Sequence, residues 1–280
     1  MILKNYPCVH LSAGELLREE TKKNDSEHAT LIEDCLVAGK IVPVEISLAL
    51  LRQAMEEATG RSQVFLIDGF PRNFDNLDGW AKLMTGVATV DGVLAYECPL
   101  DVLEERILER AKGSGRSDDN LESLRRRFMT FEAETVPVIE TLREISQTTS
   151  MEFHDVVADR SVDEVWSDTK AALNSVIAND VLHQTSRLLE AVATSDEETY
   201  ANLCADEMIS CPPKDLLQAQ EGDLEVSPGS VTNAELRFVS GTKVQVTYER
   251  KWGNQTVKES RVWSYRHSGW KMVHFFRVPK

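Results

Sequence analysis

An α/β domain built on a parallel sheet, followed by a smaller α+β domain, is the fold class that three observations in this 280-residue sequence predict. The run at 64–67, VFLI, is apolar at every position, which suits a short strand buried on both faces, since a half-exposed strand would alternate. Helical periodicity alternates with two further short strands, at 92–97 and 153–158, as a crossover-connected parallel sheet requires. Past residue 230 come four β-patterned runs, 234–239, 243–252, 256–266 and 270–278. Turns at Ser240-Gly241, Gly253-Asn254 and Ser268-Gly269 separate them, which reads as an antiparallel meander.

Length leaves room for two cores, and 42% hydrophobic residues is ordinary for a globular chain. The formal net charge of −15 excludes duplex nucleic acid and anionic membrane as partners of the molecule as a whole, so any anion site is local. Cys8, Cys35, Cys98, Cys204 and Cys211 are scattered, without a CxxC pair. They read as reduced thiols of a cytoplasmic compartment, with the nucleus also open, and signal neither zinc nor a disulfide framework. No apolar run is long enough to span a bilayer, and the opening MILKNYPCVH lacks the character of a signal or transit peptide.

Taken in order, residues 1–10 are too short for a strand and its crossover helix. Ser12-Ala13-Gly14-Glu15 has the form of a capping box, which starts a helix at Ala13 and sets Arg18 on its second turn. A helix over 27–37 is closed by Gly39, and Lys40-Ile41-Val42-Pro43 turns the chain into a helix over 44–58. After the strand at 64–67, Asp68 can hold a hydrated divalent cation, Gly69 admits a close ligand, and Arg72 offers a planar fork for phosphate oxygens. A helix over 75–84 carries Asn76 on its first turn, and another spans 101–111. The segment from Arg110 to Asn120, RAKGSGRSDDN, places glycines between basic residues and has the makings of a hinged flap. Ser161-Val162-Asp163-Glu164 is a second capping box. Residues 174–180 contain neither proline nor glycine, so the join is helical, and helices at 181–193 and 196–204 open the second domain.

The strings LSAGELLR, VFLIDGFPRNFDN and GRSDDN, in this order, resemble the adenylate kinase-like nucleoside monophosphate kinases, and Asn73 to Asn76 resemble their uridylate–cytidylate branch. The resemblance covers about residues 6–175. It implies a three-layer α/β domain, 1–176, that moves the γ-phosphoryl of ATP, with magnesium, onto UMP or CMP. On that likeness Arg18, Lys40, Ile41, Val42, Gly69, Phe70, Pro71, Arg72 and Asn76 bind the acceptor, and Arg116, Arg127 and Asp68 serve the transfer. Arg110 and Arg160 face the donor, and Asp68 reaches magnesium through water rather than as a direct ligand. An amide at Asn76 both donates and accepts along a base edge, which fits a pyrimidine.

The family's opening strand and G-x-x-x-x-G-K loop are missing from these residues; Gly39-Lys40 and Gly241-Thr242-Lys243 lack the upstream glycine and setting. A chain that starts at an internal methionine is the expectation, and a degenerate domain that has lost catalysis is the other explanation. Residues 177–280 resemble the association domain of calcium/calmodulin-dependent protein kinase II, a cone-shaped α+β fold of the nuclear-transport-factor-2-like group. Ser260-Arg261-Val262-Trp263, Ser268-Gly269-Trp270-Lys271 and Val273-His274-Phe275 carry that likeness. It implies a homo-oligomer through this domain and buried arginines, Arg250 and Arg261. Trp263, Trp270 and Phe275 read as core or interface, and His274 as a satisfied core histidine. The alternative function is a non-catalytic oligomeric scaffold.

Overall fold

The computed structural model describes residues 1–58, 64–114, 121–209, 232–252, 255–266 and 269–278. One compact unit comprises Val9–Gly60 and Val64–Ala172, and the other includes Met1–Cys8 and Leu173–Lys280. After the short α1 (Ile2–Asn5), the first of these runs β1 (Val9–Ser12), α2 (Ala13–Glu20), α3 (Ala29–Ala38), α4 (Val44–Ala58), β2 (Phe65–Asp68) and α5 (Phe74–Leu83). It continues through β3 (Gly92–Glu97), α6 (Leu100–Ser114), α7 (Leu121–Thr130), a π-helix (Phe131–Thr135), α8 (Val136–Ser146) and β4 (Glu152–Val157).

The strands pair parallel, in keeping with the helices that connect them. They do so as two pairs, β1 with β2 and β3 with β4, rather than as the single sheet the sequence implied. Two local expectations change as well. The strand β1 forms where VHLS alone shows too little periodicity to announce it; β2, which runs alongside from Val9↔Phe65 to Ser12↔Asp68, supplies its hydrogen bonds. The run at 64–67 is not buried on both faces: Val64 is 42% exposed and its three successors are half-buried. Among the described residues β2 is paired along one edge only, so half its surroundings are not sheet.

Helix α4 buries Leu48, Leu51 and Met55, spaced three and four apart, against Leu11 and Met84, with Phe65 and Ile67 packed alongside. Leu17, Ile32, Val42 and Ile46 tie α2 and α3 to the start of α4. Helix α3 ends as the glycine predicts: Gly39 adopts φ 68, and the amides of Gly39 and Lys40 donate to Leu36 and Cys35 carbonyls. A Cβ at Gly39 would lie 3.1 Å from Arg126 Cβ and 3.3 Å from Arg127 N, so this residue also lets α7 come close.

The two capping boxes part company. At Ser161 the box forms, its amide donating to Glu164 Oε2 (3.1 Å) and the Glu164 amide to Ser161 Oγ (3.4 Å). Ser12 stands at the N-cap of α2 without a side-chain capping bond, and Glu15 takes Arg18 Nη2 at 2.7 Å.

Helix α9 (Val162–Thr194) is continuous for 33 residues, so the join at 174–180 is helical and the helix expected at 181–193 is its last part. There follow α10 (Glu197–Leu203), capped by Asp196, α11 (Asp206–Ile209) and the antiparallel meander β5 (Thr232–Ser240), β6 (Lys243–Trp252), β7 (Gln255–Arg266) and β8 (Gly269–Val278). Val181, Leu188 and Ala191 of α9 pack with Val244, Val246, Trp263, Trp270 and Met272 of the sheet. Trp263 and Trp270 are thus core residues. His274 is exposed, not a core histidine, because the register shifts between Val262 and Trp263, so His274 pairs with half-buried Val262 instead of following Met272 into the core. The flap at 115–120, Cys211, the Gly253-Asn254 turn and the side chain of Arg250 lie outside the described residues.

Candidate functional site

Ser12 stands opposite Asp68 at the carboxyl ends of β1 and β2, so α2 and the turn Gly69 to Asn73 leave the sheet at one edge. Ligand-binding segments of open α/β sheets gather at such an edge. Asp68 is solvent-facing, with His10 Nε2 at 3.7 Å across the strand pair. No three His, Cys, Asp or Glu side chains cluster as a metal cage among the described residues. A single open carboxylate fits a magnesium ion that keeps most of its waters and takes other oxygens from phosphate.

Arg72 curls back over the turn, its Nε donating to the Gly69 carbonyl at 2.7 Å. Its backbone amide donates to Asn76 Oδ1 at 3.1 Å, and its carbonyl accepts from Thr135 Oγ1 at 2.8 Å. The Phe70–Pro71 peptide is cis, and Phe70 rests against Trp80 with ring centroids 5.8 Å apart. Asn73 caps α5 by accepting from the Asn76 amide at 2.9 Å.

Asn76 is 2% exposed. A backbone N–H can face only the oxygen of a carboxamide, so the Arg72 amide determines which way the side chain is turned. Its Nδ2 is then a buried donor without a partner among the described residues, and so is Arg18 Nε. A donor left unmatched in the interior costs on the order of 1–3 kcal/mol, so both mark a place where an acceptor belongs.

Lys40 is exposed and Ile41 half-buried; with Asn73, Met129, Thr130, Ala133 and Glu134 they line a cleft of about 450 Å³. Val42 points its side chain into the core beside Leu17 and Ile32, which leaves its backbone alone for a ligand. Arg127, half-buried on the last turn of α7, packs against Gly39 and so adjoins the same turn as Lys40. The cleft thus brings Lys40 and Ile41 together with Asn73, the neighbour of Arg72; its lining does not include Arg18, Arg72, Asn76 or Arg127. Arg110 lies exposed on α6. Arg160 is engaged within the chain: its guanidinium donates to the Val157 carbonyl and to the Asp168 carboxylate, which raises its pKa. Arg116 lies outside the described residues. Sequence reasoning missed Thr130, Thr135 and Glu134, since a threonine or glutamate inside a helix carries no motif, and it missed His10 because it missed β1.

Residues 1–147 match the family described as Adenylate kinase. A UMP-CMP kinase of Sus scrofa is 48% identical over 170 residues, which cover 60% of this chain and 84% of that protein. One of Danio rerio is 49% identical over 175 residues, covering 61% and 87%. Among solved structures, a CamKII hub homology domain of Chlamydamonas reinhardtii aligns with 37% of this chain and 98% of its own, at 25% identity and a TM-score of 0.29.

Proposed function

Because the chain belongs to the adenylate kinase family, we propose that its first unit binds UMP or CMP and transfers to it the γ-phosphoryl of ATP. Asn76 carries the acceptor half of this reading. With Oδ1 held by the Arg72 amide, only the Nδ2 donors remain, and they suit O4 of uracil or N3 of cytosine. Arg18 and Arg72, leaving the ends of neighbouring strands, suit the phosphate of the same nucleotide. Phosphoryl transfer asks the protein mainly to align two nucleotides and neutralise charge. Arg116 and Arg127 are assigned that second task, in which a well-placed arginine is worth roughly 10³–10⁵ in rate. Asp68 would hold magnesium through water, and the ion would supply positive charge to neutralise the phosphates.

A second reading, a non-catalytic oligomeric scaffold, rests on the likeness of Ser260-Arg261-Val262-Trp263 and Gly269-Trp270-Lys271 to an association domain. In that reading acceptor binding persists without transfer, and residues 177–280 assemble the chain into a homo-oligomeric scaffold. A coupled assay with magnesium, ATP and CMP, UMP or AMP separates the two. Turnover of CMP and UMP above AMP supports the kinase. Calorimetric binding without turnover, together with an oligomeric light-scattering mass, supports the scaffold. Absence of both binding and turnover removes the nucleotide reading altogether.

A further inference from the structure

Two hydroxyls stand at the ends of the π-helix Phe131–Thr135, Thr130 just before it and Thr135 as its last residue, and each reaches a different turn. Thr130 Oγ1 donates to the Gly39 carbonyl at 3.0 Å, sharing its proton with the Arg126 carbonyl at 3.0 Å. Thr135 Oγ1 donates to the Arg72 carbonyl at 2.8 Å. Gly39 opens the Lys40–Ile41 turn and Arg72 precedes Asn73; Lys40, Ile41 and Asn73 line the cleft of about 450 Å³ together with Met129, Thr130, Ala133 and Glu134. In an α-helix, at 3.6 residues per turn, positions five apart point about 140° away from each other. The i→i+5 bonding here, seen where the Val136 amide donates to the Phe131 carbonyl, makes such positions neighbours instead. The π-turn is thus what allows Thr130 and Thr135 to serve one cleft.

We propose that Thr130 and Thr135 are positioning residues for the acceptor nucleotide: they brace the Gly39–Ile41 and Arg72–Asn73 turns at the separation a pyrimidine nucleoside monophosphate requires. This rests on the acceptor-site reading above. The brace touches backbone carbonyls only, so it sets the width of the cleft rather than its chemistry, and CMP and UMP are affected alike. It also links α7, which carries Arg127, to the turn that carries Arg72, so both arginines keep one spacing.

The test is calorimetric titration of the full chain with CMP and with UMP, alongside a thermal melt, for Thr135→Val, Thr130→Val and the serine variant at each position. Valine keeps the shape and removes the hydroxyl; serine restores it. Thr135→Val weakens both nucleotides about threefold to tenfold, the range one hydrogen bond spans, and Thr135→Ser returns them to within about twofold. Thr130→Val has the smaller effect, because part of its proton already goes to its own helix. If the valine variants melt lower but bind CMP and UMP as the parent does, the threonines are structural and the brace is wrong. Serine variants as weak as valine overturn it too. A parent chain that binds neither nucleotide overturns the acceptor site itself, and the brace with it.

Discussion

Arg261 in one unit, and Arg18 and Arg72 in the other, carry the same guanidinium in opposite settings. Arg261 is 3% exposed and its needs are met on the spot. Its Nε donates to Tyr248 Oη at 2.7 Å, that hydroxyl donates to Glu259 Oε2 at 2.9 Å, and the Phe275 ring lies 4.4 Å from Cζ. Glu259, 1% exposed, cancels the charge from the same strand. Arg18 and Arg72 instead fold onto nearby groups of their own segments, Glu15 and the Gly69 carbonyl, and leave donors unmatched at Arg18 Nε and Asn76 Nδ2. A buried ion network completed by its own fold is architecture, whereas guanidinium groups held by short, local bonds are ready to be re-paired by an anion. The arginine that resemblance assigned to a pocket of the second domain is therefore already neutralised.

The largest effect should come from Arg261→Leu, which strands a buried carboxylate. It should cost about 3–5 kcal/mol in urea unfolding, with most of that recovered when Glu259 is replaced by leucine as well. A single variant near parental stability would dissolve the contrast. Next comes Arg72→Ala, which should leave the unfolding free energy within about 0.5 kcal/mol yet weaken CMP roughly tenfold to a hundredfold by calorimetry. The reverse pattern, stability lost and affinity kept, would make Arg72 structural like Arg261. Burial pushes the Tyr248 hydroxyl up from its usual 10.0, so the unfolded chain loses this proton before the folded one does. The stabilisation is complete below about pH 10 and declines above it, by up to about 1.4 kcal/mol per pH unit. Tyr248→Phe should remove that alkaline slope in unfolding measured from pH 9 to pH 11. Smallest is the pair of caps. Ser161→Ala should cost about 1 kcal/mol and Ser12→Ala only a few tenths, read by thermal melts, because only the first serine makes its bonds.

Local order was legible where a periodic run is closed by a residue with one conformational habit. Helix α4 spans residues 44–58, β3 spans 92–97 and β6 spans 243–252, as read from the sequence. The Gly39 stop of α3 and the glycine-marked hairpins come from the same source. Legibility failed where a partner far along the chain decides. Four residues at 9–12 are a strand because β2 is beside them, and Ser12 leaves its cap unused although its sequence matches that of Ser161. The π-turn follows from no propensity of FEAET that we identify.

Of the candidate site, Asp68, Gly69 and Arg72 can be named from residue order, because they follow an apolar run, whereas Arg18, Asn76 and the Lys40–Val42 turn are named by the resemblance to the kinase family. Which of their donors stay unmatched, and what holds the two turns apart, is settled only in three dimensions. Thr135 meets Arg72 across 63 positions and Thr130 meets Gly39 across 91. Short-range periodicity carries no information about bonds of that reach; they exist because packing brings two turns and one helix to the same place.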